Sequence, residues 1–234
     1  MQLIFKRYEK KYLVTHKQAD AVISNLSKYM VPDEYGTYWV QNLYFDTNNW
    51  DVIRKSMDKP LYKEKLRLRY YGAPGETHNA FLELKKKYAG EVSKRRVVMP
   101  ISSLSQPIRH ILAGRNEQIA RELDFYLQAN PVTEKMFIAF LRTAYTGVED
   151  EGLRVTFDNS IRYRCDKLDF THPSIGHEVL HKDYQVMEIK TRASIPLWLS
   201  RILSENGIYR TSYSKYGTCF TDYFTQEGYV KSYA

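Results

Sequence analysis

The stretch Leu61–Gly72, LYKEKLRLRYYG, alternates charged and apolar residues and decides the fold class. Residues two apart in a β-strand point to the same face of the sheet. One face of this predicted strand therefore carries cations, and the other carries apolar side chains. The cationic face comprises Lys63, Lys65, Arg67 and Arg69, and the apolar face comprises Leu66, Leu68 and Tyr70.

The same alternation recurs along the chain. The pattern Glu-x-Lys occurs at Glu9–Lys11, Glu83–Lys85 and Glu188–Lys190, each in a stretch that predicts a strand. A further strand places Arg154, Thr156 and Asp158 at the same spacing. A single such strand is typical of any half-buried sheet with its charges in water. Repetition over several strands instead predicts a charged interior, with helices packed on an apolar outer face.

These patterns predict an α+β fold, an antiparallel β-barrel that forms a tunnel of about eight strands with helices packed outside. No Gly/Ser-rich or Pro-rich linker divides the 234 residues, so one domain over 1–234 is expected, with 225–234 as a C-terminal tail. Residues 61–72, 80–88 and 91–99 predict a meander of three strands.

The composition favours an anionic ligand. The formal net charge is +8 and the pI about 9.2. Nucleic acid is not the expected partner, because acidic residues alternate with the basic ones and no basic tail is present. A cytoplasmic location is expected, because no hydrophobic signal run or membrane-spanning stretch is found.

Charged side chains inside a barrel require a compensating ligand or counter-charges, because each unpaired buried ion costs several kcal/mol. A run of phosphates fits, since Arg binds phosphate bidentately and Lys binds it as a point charge. The carboxylates suggest a divalent metal as well. Glu188 and Glu9 could hold Mg²⁺ or Mn²⁺, and the alternative for each is a salt bridge to a neighbouring Lys.

At this point the chain resembles the VTC (vacuolar transporter chaperone) domain, the polyphosphate polymerase domain within the triphosphate tunnel metalloenzyme (CYTH-like) superfamily. The resemblance covers roughly residues 5–224. No single motif is specific, but their order along the chain is. The motifs are Arg7–Tyr12 (RYEKKY), Leu43–Asp46 (LYFD), Leu66–Gly72 (LRLRYYG), Leu82–Lys85 (LELK), Ser93–Arg96 (SKRR), Leu141–Tyr145 (LRTAY), Arg154–Asp158 (RVTFD), Met187–Lys190 (MEIK) and Tyr213–Tyr216 (YSKY).

The resemblance implies roles for individual residues. Glu188 would hold the metal, with Glu9 as a second carboxylate. The expected catalytic residues are Lys11, Arg67, Arg69, Lys85, Arg142 and Glu188. The expected substrate-binding residues are Lys94, Arg96, Tyr145, Arg154, Lys190, Ser214 and Lys215.

The implied activity is metal-dependent transfer of the terminal phosphoryl group of a nucleoside triphosphate onto phosphate or polyphosphate. Two alternatives stay open: a triphosphatase acting on inorganic triphosphate or a nucleotide, and a non-catalytic polyphosphate-binding module. Arg7 replaces the first glutamate of the triphosphatase pattern E-x-E-x-K, and Ser212 replaces a lysine of the polymerase pattern. The chain resembles the stand-alone bacterial form of the domain. A membrane-protein partner, the oligomeric state, the nucleotide, the product length and the physiological metal stay open.

Overall fold

The computed structural model of the protein describes residues 8–89, 91–113 and 115–227. The strands are β1 (Tyr8–Thr15), β2 (Met30–Asp46), β3 (Tyr62–Tyr71), β4 (Asn79–Tyr88), β5 (Glu91–Pro100), β6 (Thr133–Gly147), β7 (Arg154–Arg164), β8 (His177–Glu178), β9 (Tyr184–Thr191) and β10 (Arg210–Thr211). The α-helices are α1 (His16–Leu26), α2 (Asp51–Met57), α3 (Ile108–Leu112), α4 (Gln118–Ala129), α5 (Leu197–Glu205) and α6 (Lys215–Gln226). A 3-10 turn spans Ile101–Ser103.

The predicted α+β class with an antiparallel sheet and helices is confirmed. Within the described ranges eight strands are long, as expected, and two further strands of two residues each, β8 and β10, were not foreseen. Strand β2 begins at Met30 and runs through Pro32 and Gly36, two residue types that are more typical of loops. Gly36 adopts a φ of +59°, which a glycine tolerates without the steric cost of a side chain.

The described residues fall into two compact units. The first unit contains residues 8–39, 140–162 and 178–227, and the second contains 40–139 and 163–177 apart from positions 90 and 114. Strands β2, β6 and β7 contribute residues to both units. The prediction of one domain over 1–234 stays a prediction. Residues 225 and 226 of the predicted tail belong to α6, and 228–234 lie outside the described residues.

In the first unit, antiparallel pairing gives the strand order β10-β1-β9-β7. One face of these strands is apolar and packs with α1 and α5 into a buried core. Thr15 caps α1 by accepting a hydrogen bond from the Gln18 backbone N–H. The core comprises Tyr12, Val14, Ala19, Val22, Leu26, Met30, Leu153, Val155, Phe157, Met187, Ile189, Leu199, Ile202, Leu203 and Ile208.

In the second unit, strands β2 to β5 pair in sequence order as an antiparallel meander, which confirms the predicted hairpins of β3, β4 and β5. Alternate residues of the meander bury an apolar face. Its buried members include Leu43, Phe45, Leu66, Leu68, Tyr70, Leu82, Leu84, Val97 and Met99. Most hairpin positions on the other face are charged or aromatic, with Val92 and Val98 of β5 among the exceptions.

No helix in the described ranges is both long enough and apolar enough to cross a membrane.

Candidate functional site

The charged face of β1, β9 and β7 lies opposite the core of the first unit. Strand register places Lys11 beside Glu188 and Glu188 beside Thr156. The neighbouring residues Tyr12, Met187 and Phe157 point into the core instead. The alternation of the sequence therefore brings three predicted strands together with their charged residues on one face, as expected.

We call the charged residues gathered on and beside this face the Glu188 cluster. It comprises Glu9, Lys11, Arg142, Asp158, Glu188, Lys190 and Lys215.

Glu188 is a buried carboxylate held by lysines. Its Oε1 lies 2.6 Å from Lys190 Nζ, and its Oε2 lies 3.7 Å from Lys11 Nζ. Lys11 also lies 3.3 Å from Glu9 Oε1 and donates a 3.1 Å hydrogen bond to the Tyr213 carbonyl. Burial raises the pKa of Glu188, but Lys190 and Lys11 outweigh burial and hold this pKa well below its usual range. Glu188 is therefore ionised at neutral pH.

Asp158 is a second buried carboxylate of this cluster, and the sequence predictions did not include it among the site residues. Arg142 donates two hydrogen bonds of 2.7 Å to it, from Nε and Nη2, and Lys215 Nζ lies 2.6 Å away. Burial favours the protonated carboxyl, but Arg142 and Lys215 lower the pKa of Asp158 to about 2. The signal that could have identified Asp158 is its spacing of two from Thr156 on the same strand.

Three of the predicted substrate-binding residues make contacts with residues outside the Glu188 cluster. Arg154 pairs with Asp33 at 2.7 Å, although register places it beside Lys190. Tyr145 packs on the core, with its ring edge-on to Phe157 at 6.2 Å, so the structure does not bring it to the Glu188 cluster. Ser214 is the N-cap of α6, and its Oγ accepts a 3.2 Å hydrogen bond from the Gly217 backbone N–H.

The charged face of the meander forms a second group, the Glu83 cluster. It comprises Arg67, Arg69, Glu83, Lys94 and Arg96. Glu83 has no solvent exposure and accepts hydrogen bonds from three different cationic side chains. Arg67 binds Oε2 through Nη2 at 2.7 Å and Nε at 3.0 Å. Arg96 Nε and Lys94 Nζ bind Oε1 at 2.7 and 3.2 Å.

The buried Glu83 is ionised as well. Burial raises its pKa, but the four surrounding cations outweigh burial and lower the pKa far below its usual range. Glu83 was recognised in the sequence as part of a Glu-x-Lys pattern but was not listed among the site residues. The structure shows why it belongs there, because register places it directly between Arg67 on β3 and Arg96 on β5.

Aromatic and amide side chains hold the arginines of the Glu83 cluster in place. Arg69 Nε donates a 2.8 Å hydrogen bond to Asn42 Oδ1, and Arg67 Nη1 donates one of 3.2 Å to Tyr44 Oη. Tyr71 Oη accepts hydrogen bonds from Arg96 Nη2 at 3.3 Å and Arg69 Nη1 at 3.4 Å. Burial raises the pKa of this phenol, but Arg69 and Arg96 outweigh it and lower the pKa of Tyr71 to about 7.

Strand register separates adjacent basic residues of β4 and β5. Lys85 lies beside Lys94 on the face that carries Glu83, as predicted. Lys86 and Arg95 lie on the opposite face, where both contact Glu122 of α4, at 2.5 and 3.0 Å. Each basic run therefore contributes only alternate members to the Glu83 cluster.

The two clusters differ in net charge. In the Glu188 cluster four cations face three carboxylates, whereas in the Glu83 cluster four cations share one carboxylate. The Glu83 cluster therefore carries three positive charges in excess. Such an excess of partly buried charge is costly without an anion, and guanidinium groups bind phosphate oxygens in the same way as carboxylate oxygens.

The predicted metal ligands fit only part of a coordination shell. Among the described residues no group of three or more His, Cys, Asp or Glu side chains is arranged to hold a metal ion. Glu188 is ionised, and the buried Thr156 Oγ1 beside it in register has no hydrogen-bond partner within residues 8–89, 91–113 and 115–227. The carboxylate oxygens of Glu188 are hard donors that fit a Mg²⁺ or Mn²⁺ ion with its other ligands from phosphates and water. Arg7, which replaces the first glutamate of the triphosphatase pattern, lies outside the described residues.

Comparisons with known proteins identify the family and the fold. A candidate adenylate cyclase of Vibrio parahaemolyticus has a TM-score of 0.50 and 10% identity, covering 92% of this chain and 98% of that one. A candidate adenylate cyclase of Bacillus halodurans has a TM-score of 0.46 and 12% identity, covering 98% and 94%. A Pyrococcus horikoshii protein has a TM-score of 0.44 and 13% identity, covering 92% and 99%.

No curated protein matches the chain. The family model described as the VTC domain matches residues 6–224, which is nearly the whole chain and the stretch over which the motifs were recognised. The fold is similar to that of the Vibrio parahaemolyticus protein, and the protein belongs to the VTC domain family.

Proposed function

We propose that this protein is a metal-dependent polyphosphate polymerase, which transfers the terminal phosphoryl group of a nucleoside triphosphate onto phosphate or polyphosphate. Family and fold support a triphosphate-tunnel enzyme or binding module. The observation that carries the finer proposal is the Glu83 cluster, where four cations share one buried carboxylate. An excess of three fixed positive charges is matched by a chain of phosphates rather than by a single small anion.

Hydrogen bonds within the protein already orient the side chains of Arg67 and Arg69 that we propose to bind phosphate. Glu83, Asn42 and Tyr44 orient Arg67 and Arg69 through hydrogen bonds, so little side-chain freedom is lost on binding. Positioning and charge neutralisation carry most of the catalysis of phosphoryl transfer, and no covalent protein nucleophile is needed. The bond from the terminal phosphorus to the β–γ bridging oxygen breaks, and an oxygen of the acceptor phosphate forms the new bond.

The Glu188 cluster supplies the groups that suit the reacting phosphate. Lys11, Arg142 and Lys215 now neutralise Glu188 and Asp158, and they would neutralise negative charge on the transferred group in the same way. Glu188, with its lowered pKa, would hold Mg²⁺ or Mn²⁺, which polarises phosphoryl oxygens when bound. Lys85 and Lys190 complete the proposed phosphate contacts on their strands.

The experiment incubates the purified protein with ATP and Mn²⁺, resolves the products on a gel stained for polyphosphate, and measures free phosphate in parallel. A ladder of long chains with little free phosphate is expected. The Arg96→Ala variant should lose about 100-fold or more in rate, the usual effect of removing one charge-stabilising donor. Arg95→Ala is the matched control, because this neighbour lies on the opposite face with Glu122 and should keep its activity.

The triphosphatase alternative rests on the ionised Glu188, a carboxylate that could orient an attacking water molecule. Free phosphate without chains would favour this alternative and overturn the polymerase proposal. Binding of polyphosphate without turnover would favour a binding module. The cytoplasmic location and the absence of a nucleic-acid partner stay predictions.

A further inference from the structure

Thr156 presents an unsatisfied hydroxyl on the charged face of the first unit. The side chain is fully buried, and its Oγ1 has no hydrogen-bond partner in the part of the chain that the structure describes. Most buried hydroxyl groups in proteins are hydrogen-bonded, because burial removes them from water. A buried Oγ1 without a partner therefore lowers the stability of the protein, whereas valine would fill the same space without that penalty.

The surroundings of Thr156 indicate which ligand would satisfy it. Register places it directly beside Glu188, with Lys11 on the far side of Glu188. Two residues further along β7 lies Asp158, which binds Arg142 and Lys215. The hydroxyl therefore lies near two carboxylates, Glu188 and Asp158, whose lysine and arginine partners can also bind an anion. As a donor, the hydroxyl can bind an oxygen of that anion.

A phosphate can reach Thr156 only if the ion pairs beside it are exchanged. Its oxygen has essentially no exposed surface, so the side chains around Glu188 have to move when a ligand binds. Such an exchange keeps every cation satisfied, because lysine and arginine donate equally well to phosphate and to carboxylate oxygens. Threonine would then change from an unsatisfied group to a donor.

We propose that Thr156 is a phosphate-binding residue whose Oγ1 donates a hydrogen bond to a phosphate oxygen of the bound triphosphate. This inference rests on the proposed function, since it assigns a further residue to the same site. It predicts an unusual combination of effects: removal of the hydroxyl leaves the free protein as stable as before, or more stable, and weakens binding.

The test measures binding of inorganic tripolyphosphate by titration calorimetry and unfolding by urea, without metal and with Mn²⁺. Thr156→Val is expected to bind tripolyphosphate about 10-fold more weakly than the unaltered protein, with an unchanged or higher urea midpoint. Thr156→Ser keeps the hydroxyl and should bind within about 2-fold of the unaltered protein.

Thr191→Val is the matched control on neighbouring β9. Thr191 is also buried, but its Oγ1 donates to the Ser194 carbonyl at 3.2 Å and accepts from the Ala193 N–H at 3.2 Å. This control should lower the urea midpoint and leave tripolyphosphate binding unchanged. The two threonine variants thus separate a ligand-binding hydroxyl from a structural one.

Three other results of these binding measurements would overturn the role of Thr156 or the proposed function. If the unaltered protein binds tripolyphosphate and Thr156→Val binds it equally well, the inference is overturned and the proposed function stands. If the unaltered protein does not bind tripolyphosphate under either condition, the proposed function fails, and the inference fails with it. A defect of Thr156→Val that appears only with Mn²⁺ would assign the hydroxyl to the metal and overturn the phosphate contact.

Discussion

At the scale of single residues, Glu83 holds Arg67 and Arg96 in the second unit. Its two oxygens bind Arg67, Arg96 and Lys94, and it has no solvent exposure. Glu83→Gln removes the charge that compensates these cations. Removing one partner of a buried ion pair typically costs 3–5 kcal/mol, so we expect a loss of about 4 kcal/mol in the free energy of urea unfolding.

The matched control for this prediction is Glu122→Gln. Glu122 also contacts two cations, Lys86 and Arg95, but its side chain is 27% exposed, and the expected loss is below about 1 kcal/mol. Tripolyphosphate should restore the stability of Glu83→Gln more than it stabilises the unaltered protein, because phosphate oxygens replace the missing carboxylate. Equal losses for the two variants would show that Glu83 is not the centre of the cluster.

Tyr71 gives a prediction about pH. Arg69 and Arg96 donate to its oxygen, Glu83 opposes them, and the pKa of the phenol falls to about 7. An unfolded tyrosine has a pKa near 10, so between about pH 7 and 10 the unfolded state binds more protons than the folded state. The contribution of Tyr71 to the free energy of unfolding therefore rises with pH between about 7 and 10. This contribution is lost as the pH falls through 7.

The measurement is the ultraviolet absorbance of phenolate during a pH titration. One of the 20 tyrosines should ionise near pH 7 in the folded protein, and Tyr71→Phe should remove that step. Tyr126→Phe is the control, because burial and nearby carboxylates raise the pKa of Tyr126. A titration in which the step near pH 7 survives in Tyr71→Phe would assign it to another group.

The faces of the charged residues could be predicted from the sequence, but their partners could not. A spacing of two suffices to place Arg67 and Arg69 on one face. Which carboxylate they share depends on the register between strands, and the sequence alone does not determine that Arg67 lies opposite Glu83. For the same reason Asp158 was placed on a charged face but not among the site residues, because its partners Arg142 and Lys215 come from β6 and α6.

At the scale of elements, the start of α6 combines a structural role with a proposed one. Ser214 caps the helix through the Gly217 N–H, and the next residue, Lys215, binds Asp158. Loss of an N-cap hydroxyl typically costs about 1 kcal/mol. Ser214→Ala should therefore lower the free energy of urea unfolding by about that amount.

Ser214→Asp separates the cap from the predicted phosphate contact. An aspartate caps a helix as well as serine does, so stability should be close to that of the unaltered protein. Its negative charge would repel phosphate, and we expect tripolyphosphate to bind about 10-fold more weakly, measured by titration calorimetry. Undiminished binding in Ser214→Asp would remove Ser214 from the phosphate site and leave only its cap.

Long strands with strict alternation were predictable from the sequence. Strands of two residues, and a strand that contains loop-type residues, were not. The meander of β3 to β5 follows from strict alternation within each strand. Strand β2 instead runs through Pro32 and Gly36, residue types that are typical of loops, so local residue type did not indicate where this strand begins. Strand β10, Arg210–Thr211, exists through its pairing with Tyr12 and Lys11 and is too short to carry any pattern.

At the scale of the whole molecule, ordered motifs predicted more than composition did. The net charge of +8 indicates only an anionic partner, whereas the order of the motifs indicated the family that the match to residues 6–224 establishes. The division into two units was not predicted, because each of the strands β2, β6 and β7 is continuous in sequence and contributes to both.

Each unit carries its own cluster of charged side chains proposed to bind phosphate, and this gives a prediction for the whole chain. Tripolyphosphate should slow amide hydrogen exchange in β3, β4 and β5 through the Glu83 cluster, and in β1, β7 and β9 through the Glu188 cluster. A ligand present at 100 times its Kd stabilises the folded state by about 2.7 kcal/mol, or about 100-fold in exchange that requires global unfolding. Mass spectrometry of exchanged peptides measures both regions in one experiment.

Two variants show whether both clusters take part. Arg67→Ala should reduce the protection of β3 to β5, because Arg67 makes two of the hydrogen bonds now given to Glu83. Arg95→Ala, on the opposite face, should leave protection unchanged. If tripolyphosphate protects the strands of only one unit in the unaltered protein, the phosphate site is confined to that unit. The carboxylates of the other cluster would then only neutralise their own cations, as in any structural salt bridge.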